Sequence, residues 1–146
     1  DLSQILDLLR DDPLSISRES EDDALYESAF NEVTADPNNF LLVGKEGPEV
    51  VAFLQLTIMP GIARVGTRRA QFESVRVRRS RRREGIGRRL CEWSVDFARQ
   101  SGCGMVQLTT DRSRPDASAF YEGIGFIDYH RGMKMSLDVD ETEGTH

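Results

Sequence analysis

The stretch VRVRRSRRREGIGRRL, residues 75 to 90, decides how the rest of the chain is read. Val75 and Val77 alternate with arginines and close a strand. Residues 78 to 84 are a basic loop. Gly85 and Gly87 then open a helix, because Ile86, Leu90, Trp93 and Phe97 recur at helical spacing as far as Gln100. The first turn of a helix carries unpaired N–H groups and the positive end of the helix dipole, a setting that attracts phosphate. Glycines there let such a group approach the backbone closely. A G-x-G-x-x-G motif is absent, since position 90 is Leu90, and no P-loop G-K-[ST] occurs, so those two nucleotide motifs fall.

Charge sharpens the reading. Residues 76 to 89 hold eight arginines in a chain of net charge −6. From Arg64 to Arg89, 11 arginines face Glu73 and Glu84, a local +9 that leaves −15 on the remainder. A positive focus on an acidic body repels a duplex over most of its surface and suits one compact polyanion better. The segment also lacks the aromatics that stack on single-stranded bases.

Outward from this segment, the pattern is mixed α/β. Leu2, Ile5, Leu6 and Leu9 mark a first helix, with Asp1 or Ser3 near its start as a cap. Pro13 and a cluster of acids break it, and Tyr26, Ala29, Phe30 and Val33 mark a second. FLLVGK and VVAFLQLTIM read as strands around an EGPE hairpin loop, and AQFESVRV as a third strand. If its pleat is regular, Gln71, Glu73, Val75 and Val77 share one side. MVQLTT reads as a buried strand. A short helix runs from Pro115 to about Gly123, and IDYHRGMKMSL reads as two short strands around Gly132. The length of 146 residues suggests one domain over residues 1–137, with an acidic flexible tail over 138–146.

No apolar run approaches the ~18 residues of a membrane span, and no secretory h-region opens the chain. Cys91 and Cys103 have no C-x-x-C spacing, so they are expected to be reduced thiols and the protein cytoplasmic. His130 and His146 are isolated, so no metal is expected.

Two motifs carry a family resemblance. RREGIG, from Arg82, resembles the [QR]-x-x-G-x-[GA] motif of the GCN5-related N-acetyltransferases (GNAT). ASAFYEGIGF, through Ala117, Phe120, Tyr121, Gly125 and Phe126, resembles the family's A-x-x-F-Y-x-x-x-G-F segment. Arg83 stands where glycine is common, and Arg114 where an asparagine is common. The resemblance spans roughly Phe40 to Leu137. It implies an α/β fold with a mixed, mostly antiparallel central sheet flanked by helices. The family's usual first strand would precede Asp1, so that strand is expected to be missing.

The resemblance also implies acetyl-CoA as co-substrate. Its pyrophosphate would lie on the backbone of Arg82, Arg83, Glu84, Gly85, Ile86, Gly87 and Arg88, and its pantetheine arm along Val75 and Val77. The loop arginines would serve its phosphates. An alkylamine with a pKa of about 10.4 must lose a proton to attack a thioester, so a base is needed. Glu73, the one acid on that strand, is the candidate. The resemblance gives Val75 N–H to the developing oxyanion and Tyr121 the role of general acid. No partner signature accompanies either cysteine, so direct transfer is expected.

A small-molecule primary amine is the expected acceptor. A protein or peptide amine, or a non-catalytic module binding acyl-CoA or nucleic acid, are the competing readings, and a homodimer is left open. Asp11, Asp12, Glu19, Glu21, Asp22, Asp23 and Glu27, against Arg18, are expected to form an acidic rim near the acceptor. Arg64, Arg68 and Arg69 could instead bind an acid group on it.

Overall fold

The computed structural model describes residues 1–12 and 19–138. Pro13, Arg18 and the expected acidic tail beyond Asp138 therefore lie outside the described residues. The chain divides into two compact units, Asp1–Leu108 and Thr109–His146.

The first unit holds α1 (Leu2–Arg10), α2 (Asp23–Ala35), β1 (Asn39–Glu46), β2 (Glu49–Met59), a single turn α3 (Ala63–Gly66), β3 (Arg68–Val77), a 3-10 turn at Arg79–Arg81, α4 (Ile86–Gln100) and β4 (Cys103–Gln107). The four strands lie in the order β1-β2-β3-β4. The first two ladders are antiparallel and the last is parallel, so the mixed, mostly antiparallel sheet expected from the sequence is what forms.

Local chemistry fixes the element ends. Asp22 caps α2 by accepting from Ala24 N at 3.0 Å. Asp36 ends it and holds the turn into β1, accepting from Asn38 N and Asn39 Nδ2. Gly47, at φ 60, makes the β1–β2 hairpin.

The alternation of β2 explains the two faces. Leu54, Leu56 and Phe72 are buried on the side covered by α4, whose Phe97 meets Phe40 edge-on at 4.9 Å. On the other side, Ile5 and Leu8 of α1 pack with Val50 and Phe53, flanked by Leu41 and Val43. Trp93, expected in the core, is 57% exposed and stacks on Phe97. Cys91 and Ser94 take the buried positions, Ser94 by donating to Leu90 O.

Both cysteines are free thiols. Burial, and secondarily Glu92, pushes the Cys91 thiol from 9.0 up to about 11. Above pH 9 the unfolded chain releases this proton while the folded chain keeps it. Stability therefore falls between about pH 9 and 11. Denaturant titrations across that window are expected to show a smaller loss for Cys91→Ala than for the natural chain.

The second unit contains α5 (Pro115–Ile124), with proline in its first turn and Gly125 at its C-cap, two residues beyond the expected end. From Phe126 to Asp138 the chain forms neither helix nor strand. The two strands expected around Gly132 are absent there. The pattern has the period of a strand, but a strand needs a ladder, and the unit's own regular element is a helix.

Candidate active site

The face of the sheet bearing Phe53 is apolar only where α1 covers it. Beyond α1 it turns polar. The register sets Asn39 beside Thr57, Thr57 beside Gln71, Gln55 beside Glu73 and Gln71 beside Gln107. These side chains bond along the row. Asn39 Oδ1 accepts from Gln55 Nε2 at 3.0 Å and from Thr57 at 2.7 Å. Arg69 donates to Gln107 at 3.4 Å, Gln107 to Gln71 at 3.0 Å, and Gln71 to Glu73 Oε1 at 2.8 Å. Each amide is oriented by the donor behind it, and the series ends on the Glu73 carboxylate, which is exposed. Asn39 also lines a cavity of about 320 Å³ shared by Ile5, Phe30, Thr34, Leu41 and Val43.

Immediately after Glu73 the strand breaks register. Phe53 faces Arg76 while Gln55 faces Glu73, so Ser74 and Val75 together stand opposite Leu54. This is a β-bulge, and Ser74 takes a left-handed φ of 55 within it. The regular pleat expected from the sequence is therefore wrong beyond Glu73. Val77, paired with Ala52, faces away from Glu73, and Arg76 takes the near face instead. Contact with the parallel neighbour ends before the bulge, because β4 stops at Gln107. The β3–β4 ladder runs from Arg68 to Gln71 only, while β3 continues to Val77. Val75 and Val77 thus lie on a stretch of β3 that carries no ladder to β4 among the described residues.

The glycine turn follows. Arg83 and Gly85 both adopt left-handed backbone, φ 66 and φ 78, and Gly85 is the N-cap of α4. The first bond of the helix runs from Arg89 N to Gly85 O at 3.0 Å, so the N–H groups of Ile86, Gly87 and Arg88 precede it. A Cβ at Gly85 would meet nothing within 4 Å, so glycine is favoured there by its φ rather than by crowding. These are groups able to hold a pyrophosphate.

The arginine side chains behave otherwise than expected. Arg76 pairs with Asp12 and Arg79 with Asp11, each at 3.6 Å. Arg78 donates to Val50 O at 2.7 Å and Arg82 to Val77 O at 3.3 Å. Arg81 is held by Glu84 and Glu46, and Arg88 by Glu92. Among the described residues, Arg83 and Arg89 form no ion pair. Most of the positive cluster is therefore committed within the fold, where it fastens α1 and the hairpin to the site.

Much of the expected acidic rim is engaged in the same way, while Glu21 and Glu27 are exposed. Asp12 is buried, Asp22 is a cap, Asp23 binds Arg10 at 2.9 Å and Glu19 accepts from Tyr26. Of the three loop arginines, Arg69 belongs to the polar row. Arg64 sits in a left-handed turn with Val65. Tyr121 lies in the second unit, edge-on to Phe120 at 5.0 Å and to Phe126 at 5.7 Å. The first unit thus brings together Glu73, Val75, Val77 and the turn from Arg82 to Arg88. The polar row of Asn39, Gln55, Thr57, Gln71 and Gln107 was missed, although the alternation in β2 and β3 placed these residues off the core.

Comparison with known proteins agrees with this geometry. The acetyltransferase (GNAT) family model matches residues 2–126. A transcriptional regulator from Bacillus halodurans C-125 is 41% identical, with 94% of this chain and 93% of that one covered and a TM-score of 0.91. A protein of Agrobacterium tumefaciens str. C58, provisionally named an acetyltransferase, is 29% identical over 93% of each chain, with a TM-score of 0.83. Glucosamine-6-phosphate N-acetyltransferase from Arabidopsis thaliana, 19% identical over 94% of this chain and 95% of that one, shares the fold at a TM-score of 0.76. We find no match among curated proteins. With a bulged strand that runs on beyond its parallel neighbour into a glycine-opened helix, and a family match across most of its length, this chain belongs to the GNAT family of acetyltransferases, whose enzymes use acetyl-CoA.

Proposed function

We propose that the protein is an N-acetyltransferase that moves the acetyl group of acetyl-CoA to a primary amine of a small molecule. One observation carries the reading: β3 runs on past the end of its ladder to β4 at Gln71, carries its single acid, Glu73, on that stretch, and leads into a helix start whose first N–H groups precede the first bond of the helix. In this reading the backbone of Val75 and Val77 holds the pantetheine arm. The turn from Arg82 through Arg83, Glu84, Gly85, Ile86 and Gly87 to Arg88 holds the pyrophosphate. When bound, the co-substrate supplies an activated acetyl thioester.

The chain's own residues do the rest. Glu73, with Oε1 engaged by Gln71, takes the amine proton on its remaining acceptor capacity. The Val75 N–H offers a hydrogen bond to an oxygen that gains negative charge. Tyr121 supplies a proton to the departing thiolate. Neither cysteine forms an acyl-enzyme; Cys91 is buried with its proton held to about pH 11. The amide-lined face around Glu73 favours a small polar acceptor over an extended peptide. Two free cysteines without paired spacing support a reducing compartment, the cytoplasm, as its place of action.

The name of the Bacillus halodurans relative raises a nucleic-acid reading for this chain as well. The arginine cluster weighs against it, because six of its eight members are tied to carboxylates or carbonyls within the fold. The test is a panel of amines, including an aminosugar, a polyamine, an amino acid and a lysine peptide, incubated with acetyl-CoA while free thiol is measured. Amine-dependent thiol release with a small amine ahead of the peptide is expected. Release with the peptide alone overturns the small-molecule acceptor.

A further inference from the structure

We propose that the acceptor is an amine that carries an acid group, carboxylate or phosphate, at its other end, and that Arg69 is the residue that binds this group. The proposal rests on the reading of Glu73 as the base.

The order of side chains along the sheet carries it. Arg69, Gln71 and Glu73 alternate along β3 ahead of the bulge, so they share one face. Thr57 and Gln55 of β2 pair with Gln71 and Glu73, and Gln107 of β4 pairs with Gln71. Met59 and Met105 flank Arg69. On this stretch of the face Arg69 and Glu73 carry charge, and the side chains around them are neutral. Four residues at about 3.3 Å each set the two Cα atoms roughly 13 Å apart. Three hydrogen bonds cross that gap, from Arg69 to Gln107, from Gln107 to Gln71 and from Gln71 to Glu73. A base for the amine thus stands at one end and a cation at the other. Between them lie amides able to bond hydroxyl or carbonyl groups.

Arg69 differs from the other arginines near the site. Arg76, Arg79, Arg81 and Arg88 are each held by a carboxylate. Arg69 forms no ion pair among the described residues, and its side chain makes one hydrogen bond, the 3.4 Å contact to Gln107. A guanidinium has five N–H donors, so most of the fork is free for a ligand. Arg68, one residue earlier, turns to the opposite face, where its Nε is buried and its stem lies beside Gly102. The planar fork matches a carboxylate or phosphate in paired, charge-assisted bonds. An acceptor with a second cation in place of the acid meets repulsion from Arg69 instead.

Rates of thiol release and calorimetric binding with matched pairs test this: ethanolamine against phosphoethanolamine, and a hexosamine against its terminal phosphate ester. The anionic member is expected to show a kcat/KM at least about tenfold above its neutral partner. Arg69→Gln keeps a donor for Gln107 and removes the charge. It is expected to lower that preference about tenfold to a hundredfold, mainly through KM of the anionic amine. Equal losses for both members would make Arg69 a support for Gln107 alone and overturn the proposal. Thiol release with no preference in either pair also overturns it, and leaves the transferase reading standing. Binding of the anionic member that Arg69→Gln abolishes, with no thiol released from any amine, supports the site and removes the transferase reading. Anionic amines that neither react nor bind overturn the proposal.

Discussion

Glu73→Gln is expected to lower turnover about 100-fold or more while acetyl-CoA affinity stays nearly unchanged. The glutamine keeps the shape and can still accept from Gln71, but it cannot take a proton from the amine. The polar row makes a finer expectation available. Gln71 donates to Glu73 at 2.8 Å and is itself oriented by Gln107, which Arg69 holds. Gln71→Ala should therefore lower kcat about tenfold with KM for acetyl-CoA unmoved, because it loosens the base without touching the glycine turn. Added to Glu73→Gln, the same change should cost almost nothing further. Steady-state kinetics of the two single variants and the double variant checks this. Full activity in Glu73→Gln removes Glu73 as the base; fully additive losses remove Gln71 as its orienting partner.

Asp12→Ala is expected to cost about 3–5 kcal/mol, the usual consequence of leaving one member of a buried ion pair behind. Asp12 follows α1 and is 5% exposed, and its carboxylate lies 3.6 Å from Arg76 Nε, with side-chain exposures of 13% for Arg76 and 7% for Asp12. Arg76 is the first residue of β3 to regain register after the bulge. The pair therefore fastens α1 to the strand just where the sheet opens. In a chain of this size the loss lowers the melting temperature by roughly 10 °C. Replacing Arg76 by Met in the same chain should recover much of it, since a paired apolar swap removes the desolvation cost along with the charge. Thermal melts of the single and double variants decide this. An unchanged melting temperature in Asp12→Ala would show that the pair contributes nothing.

The sequence made the sheet legible because strand and helix periods are local. FLLVGK, VVAFLQLTIM and AQFESVRV all form strands, and Gly85 opens a helix that ends at Gln100. The bulge was not legible. Nothing in ESVRV distinguishes Ser74, at φ 55, from an ordinary strand residue; the conformation follows from how β3 meets β2. Without it, Val75 and Val77 were placed on the side of Glu73, and Arg76 was not linked to Asp12. The arginines misled for a related reason. Their number is a property of composition, but Arg76, Arg78, Arg79 and Arg81 take partners distant in sequence, Asp12, Val50, Asp11 and Glu46. The strands expected around Gly132 show the same limit. A period of two reports which face a segment could bury, and not whether a ladder is there to receive it.

The central claim is that the part of β3 beyond its ladder to β4 and the first turn of α4 hold acetyl-CoA. Thermal unfolding with and without it tests this most directly. A ligand of the native state at 100 times its dissociation constant stabilises by about 2.7 kcal/mol, so a rise of several degrees is expected. An analogue lacking the pyrophosphate should produce much less. An unmoved melting curve in saturating acetyl-CoA, with a clear shift from duplex DNA, would contradict the account.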